Sequence, residues 1–201
     1  MELHLIRHGQ TDWNEERRVQ GQSESRLTEL GKQQARELGE KIKQVDYGKV
    51  YCSSSLRTRQ TADQAFNETG IAIEYLDSLR EIHLGPWEGK LYVEVEKSDP
   101  ESYQHFWQTP HLFNVSGAET FADLQNRALR AVDHITADGN QDRVAIVSHG
   151  ALIKSLLCHY EQRHLSQLWE PPQMHNCAHS IVKLNANGKG RIVLYADISQ
   201  N

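Results

Sequence analysis

Apolar positions fall into short β-like runs alternating with stretches of helical period. Residues 3–7 are an apolar run that ends on His8-Gly9, a strand passing into a loop. Leu30, Ala35, Leu38 and Ile42 then recur at near-helical spacing behind Thr28, a suitable N-cap. A second β-run at 49–52 closes on three serines, 56–67 reads as a helix closed by Gly70, and 71–75 is a third β-run. After the turn Gly85-Pro86-Trp87-Glu88-Gly89, residues 90–117 are aromatic-rich, weakly patterned and partly helical. Phe121, Leu124, Ala128, Ala131, Val132 and Ile135 mark an amphipathic helix over 119–137. A β-branched run at 143–147 ends in Ser148-His149-Gly150, and 151–159 form another helix. Two last β-runs, 180–184 and 190–196, are joined by the turn Asn185-Ala186-Asn187-Gly188. Strands alternating with helices predict an α/β fold, a three-layer α/β/α sandwich around a mostly parallel central sheet. With no internal repeat or low-complexity linker, residues 1–201 are expected to form a single domain with a lid-like insertion at about 90–117.

Composition narrows the classes. At 38% hydrophobic and 24% charged residues the chain reads as globular, and its longest apolar runs, such as 144–147, are far too short to span a bilayer. The first residues carry an acid where a secretion signal needs basic charge. Cys52, Cys158 and Cys177 are too few and too scattered for a disulfide framework, which favours a reducing compartment. Cytoplasmic location is the resulting expectation. A net charge of −5 without a Lys/Arg run argues against nucleic-acid binding.

Chemistry concentrates at strand ends. Arg7-His8-Gly9 and Ser148-His149-Gly150 each close a strand, and the carboxyl ends of strands in a parallel sheet form the crevice where ligands bind. Glycine after each histidine lets the backbone approach a ligand and turn its N–H toward an anion. The segment 53–62 gathers hydroxyls and Arg57 at a helix N-terminus, where the dipole favours anions. Arg7 and Arg57 offer planar forks for phosphate oxygens, and Asn14 adds a neutral donor. An acid is still needed for the leaving alkoxide. Glu81 follows the third β-run and meets that need if burial or neighbouring phosphate charge keeps it protonated near neutrality.

These motifs, taken in order, resemble the histidine phosphatase superfamily, which includes the phosphoglycerate mutases. The matching stretches are 5–14 (Leu-Ile-Arg-His-Gly-Gln-Thr-Asp-Trp-Asn), Gln20-Gly21-Gln22, 27–31, 33–35, 53–62, 79–89 and 147–150. The resemblance implies a phosphoglycerate mutase-like fold and a phosphohistidine formed on His8. It also implies a phosphate pocket of Arg7, Arg57 and His149 with Asn14, Gln20, Gly21 and Gly150 lining it, and Glu81 as proton donor and then base. It implies no metal and no cofactor. Three positions depart from the family pattern: Gln10 for a common Glu, Arg26 for a common Pro, and Cys52 for a small hydroxyl residue.

Blander readings compete at several positions. Arg59 lies two residues from Arg57, and Glu74, Asp77 and Glu88 are alternatives to Glu81. His175, Cys177 and His179 would share one face of a strand and could suggest a metal site, with Cys158 and His159 as partners, although a packed strand start is simpler. Trp13, Trp87 and His83 are read as structural. Within the family, a mutase needs extra arginines for its phosphoglycerate. None lies between Arg80 and Arg127, where only Lys90 and Lys97 are cationic. Tyr92, Tyr103, His105, Phe106, Trp107, His111, Leu112 and Phe113 instead suit an uncharged, partly apolar leaving group. The expectation is therefore a phosphomonoesterase for small phosphorylated metabolites. Its open alternatives are α-ribazole-5′-phosphate phosphatase, cofactor-dependent phosphoglycerate mutase and an inactive phospho-ligand binder. Expected partners are a small phosphomonoester, no nucleic acid and no membrane, with a homodimer left open.

Overall fold

Period-2 alternation on the strands and period-3.6 stripes on the helices divide the side chains between two apolar layers. A computed structural model describes residues 1–137, 141–185 and 187–200. In chain order the elements are β1 (Glu2–Arg7), α1 (Asp12–Glu15), α2 (Glu29–Ile42), β2 (Lys49–Ser53), α3 (Leu56–Phe66) and β3 (Ile73–Leu76). There follow α4 (Tyr92–Ser98), α5 (Pro100–Gln108), α6 (Phe121–Thr136), β4 (Arg143–Ser148), α7 (Gly150–Tyr160), β5 (His179–Leu184), β6 (Gly190–Tyr195) and β7 (Ile198–Ser199).

The described strands form one sheet in the order β3-β2-β4-β1-β5-β6-β7. The first four strands in that order run parallel, while β5, β6 and β7 add antiparallel neighbours. The mixed sheet is thus mostly parallel at its centre, as expected, and β7 is an addition the pattern did not suggest. The third strand sits two residues later than its apolar run, and Gly70 takes a left-handed φ of 66° before it. In the turn predicted at 185–188, Ala186 lies outside the described residues.

Alternation on the strands assigns the layers. Leu3, Leu5, Tyr51, Val144 and Ile146 pack with α6, α7 and the aromatic residues of α5. Ile6, Val50, Cys52, Ala145 and Val147 pack with α2 and α3. Each fully buried Leu, Ile or Phe contributes about 1.5–3 kcal/mol relative to exposure. Thr28 caps α2 by accepting from the Gly31 N–H at 3.0 Å, as its position predicts. Among the described residues no helix is long and apolar enough to cross a membrane.

Two local readings need correction. The Gly9 N–H donates to Thr61 Oγ1 at 3.0 Å and so is not turned toward a ligand. What excludes a side chain at Gly9 is α2, since a Cβ there would stand 2.5 Å from the Gly31 carbonyl oxygen. Gly9→Ala should therefore lower stability by about 1–3 kcal/mol through backbone displacement, read as a fall in Tm. An unchanged Tm would mean that the loop gives way freely.

Second, His175, Cys177 and His179 do not share a strand face, because the strand begins only at His179. Cys177 is in a turn with φ of 54° and packs in the α2/α3 layer. His175 pairs with Asp197 at 3.1 Å, and His179 is buried against His4 at 3.0 Å. Among the described residues no three His, Cys, Asp or Glu side chains are grouped as metal ligands.

Candidate active site

The sheet register brings the two histidine motifs together. β1 and β4 are adjacent and parallel, Arg7 faces Ser148 across the ladder, and the His8 N–H donates to the Ser148 carbonyl at 3.0 Å. The next residue on each strand is a histidine, and the two rings meet edge to face with centroids 5.4 Å apart. His8 lines a cavity of about 420 Å³.

His8 is buried, and its Nδ1 lies 2.7 Å from the Gly9 carbonyl oxygen. A carbonyl only accepts, so Nδ1 carries the proton and Nε2 keeps its lone pair. Burial holds the imidazole pKa well below its usual range, and the nearby Arg57 and Arg7 cations push it down further. The ring is therefore neutral and its free nitrogen is nucleophilic.

The two guanidiniums differ in how they are held. Arg57 donates through Nη1 to the Ser23 carbonyl (2.8 Å), through Nη2 to Gly21 (2.7 Å) and through Nε to His149 Nδ1 (3.2 Å). Three of its five N–H groups fix its orientation and two remain for a ligand. Burial lowers its pKa to about 10, which still leaves it a cation at neutral pH. Arg7 donates through Nη1 to the Met174 carbonyl, while its buried Nε has no partner among the described residues. An unmatched buried donor on a cation is costly, and an anion in the cavity would relieve it.

The neutral donors are oriented by their oxygens. Asn14 Oδ1 accepts from the Thr11 N–H (3.1 Å) and from Asn176 Nδ2 (3.3 Å). Gln20 Oε1 accepts from Thr11 Oγ1 (3.1 Å) and Ser25 Oγ (2.7 Å). Both residues line the cavity with their NH2 groups uncommitted among the described residues. Gly21 and Gly150 line it as well, and a Cβ on Gly150 would come within 3.4 Å of Arg7 Nε.

Glu81 is the one carboxylate among the described lining residues. Its Oε2 accepts from the Ala151 N–H (3.0 Å) and its Oε1 from Leu152 (3.1 Å), both in the first turn of α7. The competing acids are engaged elsewhere. Glu88 accepts from the Gln22 and Leu84 N–H groups and from Ser23 Oγ. Glu74 pairs with Lys49, and Asp77 accepts from Ser54 Oγ. Arg59 is exposed and stacks over Tyr75, 4.6 Å from the ring centroid, so Arg57 is the arginine that enters the site.

His149 and the serines depart from their expected places. His149 is absent from the lining. Its Nδ1 accepts from Arg57, so its Nε2–H donates to Ser53 Oγ at 2.8 Å. Burial first and Arg57 second keep this ring neutral too. The helix N-terminus after the serines holds no open anion site, because Glu24 Oε2 already accepts from the Leu56 N–H at 2.6 Å.

The lining also carries four aromatic residues, Tyr92, Phe106, Trp107 and Trp169, together with Ile82, Leu84 and Met174. Lys154, Trp169, Gln173 and Met174 were not foreseen. The available signal was a lysine inside the apolar run of α7, all of whose residues from Ala151 to Cys158 are buried. Arg127 also escaped notice. It donates to the carbonyls of Ser78, Arg80 and Glu81 and clamps the segment that carries Glu81.

The sequence profile of the histidine phosphatase superfamily (branch 1) matches residues 3–198. The chain belongs to that superfamily. Among its similar proteins, Phosphoglycerate mutase-like protein 4 of Arabidopsis thaliana is 31% identical, over 98% of this chain and 86% of that protein. Phosphoserine phosphatase 1 of Hydrogenobacter thermophilus is 28% identical, over 84% of this chain and 80% of that protein. The solved structure of Bacillus stearothermophilus YhfR superposes with a TM-score of 0.95 at 40% identity, covering 98% of each chain. The three departures from the superfamily pattern are absorbed locally. Gln10 Oε1 accepts from Thr28 Oγ1 at 2.8 Å, the Arg26 carbonyl accepts from the Asp12 N–H at 3.0 Å, and Cys52 is packed in the core.

Proposed function

We propose that this histidine phosphatase hydrolyses small phosphomonoesters in two steps through a phosphohistidine on His8, with Glu81 as the proton carrier. The observation that carries this reading is the His8 ring. Its Nδ1–H is tied to the Gly9 carbonyl, which leaves Nε2 as a neutral nucleophile near two arginines, in a cavity with one carboxylate among its described lining residues. In the first step Nε2 attacks phosphorus, the P–O bond to the leaving group breaks, and the departing alkoxide takes a proton from Glu81. In the second step Glu81 accepts a proton from water as the hydroxide forms a P–O bond. The P–N bond then breaks, releasing orthophosphate and restoring His8. Arg7, Arg57, Asn14 and Gln20 stabilise the equatorial oxygens, and positioning and charge do most of the work in phosphoryl transfer. His149 serves by holding Arg57 and bracing the His8 ring.

The leaving-group end supports a phosphatase over a mutase. Beyond the two phosphate arginines, Lys154 is the only cation among the described lining residues, and its ammonium is engaged by carbonyls. A second phosphate or carboxylate would find little there, whereas a flat or apolar group finds four aromatic rings. Residues 90–117, with α4 and α5, form one side of this wall and act as a lid-like part of the single catalytic domain.

The test is incubation with p-nitrophenyl phosphate and with 3-phosphoglycerate in excess chelator. Phosphate release should be unaffected by the chelator, because the arginines supply the positive charge. Isomerisation of 3-phosphoglycerate with a bisphosphate primer would return the mutase reading. A folded protein that turns over neither compound would leave a phospho-ligand binder or a very narrow phosphatase.

A further inference from the structure

Lys154 is a buried cation with a contact pattern that the catalytic scheme does not use. It lies on α7 one turn after Gly150 and Ala151, lines the cavity, and is 2% exposed. A buried ammonium is tolerated only when its protons are matched. Here Nζ donates to the Glu170 carbonyl (2.5 Å) and the Pro172 carbonyl (3.1 Å), and it lies 5.1 Å from the centroid of the Tyr195 ring. Both carbonyls belong to the strap 169–174, which has no regular secondary structure beyond its bends.

The strap is anchored to the site at each end. Trp169 Nε1 donates to the Phe106 carbonyl of α5 at 2.6 Å and places its ring in the aromatic wall. At the other end the Met174 carbonyl accepts from Arg7 Nη1. Lys154 grips the strap between these two anchors. A strap without its own ladder of hydrogen bonds depends on such side-chain contacts to hold its shape.

We propose that Lys154 is a positioning residue that holds the strap 169–174, and through it the Trp169 ring, in the geometry that binds substrate. The proposal rests on the phosphatase reading and deepens it by assigning a specificity role to a residue whose ammonium is held by the strap's own carbonyls. It predicts a loss in substrate binding that is larger for aromatic leaving groups, which need Trp169, than for small alkyl ones.

The charge on Lys154 gives a second handle. Burial lowers its pKa to about 8, with Arg163 lowering it further and Cys158, Glu161 and Glu170 opposing. The other ionisable group facing it is Tyr195, whose hydroxyl burial pushes up beyond this range. Between pH 7 and pH 9 the ammonium loses its proton, and the two carbonyls lose a charged donor for a weaker neutral one. Wild-type KM for an aryl phosphate should rise through this window with little change in kcat.

The experiment compares Lys154→Met, which keeps the length and loses all donors, with Lys154→Gln, which keeps a neutral donor. KM and kcat are measured for p-nitrophenyl phosphate and an alkyl phosphate from pH 7 to pH 9. Hydrogen exchange of peptides covering the strap is measured in parallel. The expected result for Lys154→Met is an aryl-phosphate KM raised about 5–10-fold, kcat within about 2-fold, no further rise with pH, and faster exchange in the strap. Lys154→Gln should fall between it and wild type, also without the pH dependence. The proposal is overturned if both variants keep the wild-type KM and its pH profile, or if they lose thermal stability alone. It is likewise overturned if strap exchange is unchanged, a readout that stands even if the wild-type protein turns over no phosphate ester. Absence of wild-type turnover with faster strap exchange in the variants would instead leave a phospho-ligand binder or a very narrow phosphatase, with the positioning role standing.

Discussion

Replacing His8 with alanine should lower kcat by about 10⁴-fold or more, because His8 carries the proposed phosphohistidine and is the single histidine among the described lining residues. Loss of an enzyme's nucleophile typically removes nearly all the chemistry that binding and charge stabilisation cannot supply. Both arginines keep their anchors in the variant, since Arg57 is held by Ser23, Gly21 and His149, and Arg7 by Met174. His8→Ala should therefore still bind orthophosphate with an affinity near that of wild type, separating lost chemistry from lost binding. Acid-labile, alkali-stable label should be trapped on wild type from a radiolabelled ester, and none on the variant. A variant retaining more than about 1% of activity, or an alkali-labile adduct indicating an acyl phosphate, would refute the role assigned to His8.

Glu81→Gln should separate the two steps. Positioned acid–base catalysis contributes about 10²–10⁴-fold. The amide can still accept from one of the Ala151 and Leu152 N–H groups that now hold the carboxylate, so its placement survives, but it cannot donate a proton to an alkoxide. With an alkyl phosphate the first step fails, and turnover falls by that factor without any burst. With p-nitrophenyl phosphate the leaving group departs without help, so the first step proceeds and the second stalls for want of a base. The expected trace is a burst of one equivalent of p-nitrophenolate, then slow turnover, with phosphohistidine accumulating. Equal losses on both esters and no burst would mean that Glu81 only supports the fold of the segment that Arg127 clamps.

The lysine and the two proposed catalytic groups illustrate different degrees of legibility. His8 and Arg7 stood out because glycine and arginine beside histidine at a strand end make poor core material, whereas Arg57 was preferred to Arg59 by the family pattern. Glu81 was suggested by its place after the third β-run and by the family pattern, with Glu74, Asp77 and Glu88 left as competitors. What excludes Glu88 is a set of hydrogen bonds from Gln22, Ser23 and Leu84, and the first two lie more than 60 positions away. Gly9 was correctly marked as special for the wrong reason, because its constraint comes from a helix packed across it. Lys154 carried a sequence signal, one charge within an apolar helix, but its role depends on a strap 16 to 18 residues downstream in the chain.

The chain by itself determined the alternation of strands and helices, the caps, the strand ends that bear histidine and the scarcity of cations in the aromatic insertion. These rest on periodicity and on contacts between near neighbours in sequence, which local residue type controls. The tertiary structure alone decided which strands are adjacent and hence that His8 and His149 meet. It also decided which histidine nitrogen carries a proton, that His149 turns toward Arg57 and Ser53 and stays out of the lining, and that the His175–His179 residues scatter. Each of these depends on groups brought together across most of the chain. Strand order, ring orientation and burial follow from the collective packing of two apolar layers, and no short stretch of sequence carries that information.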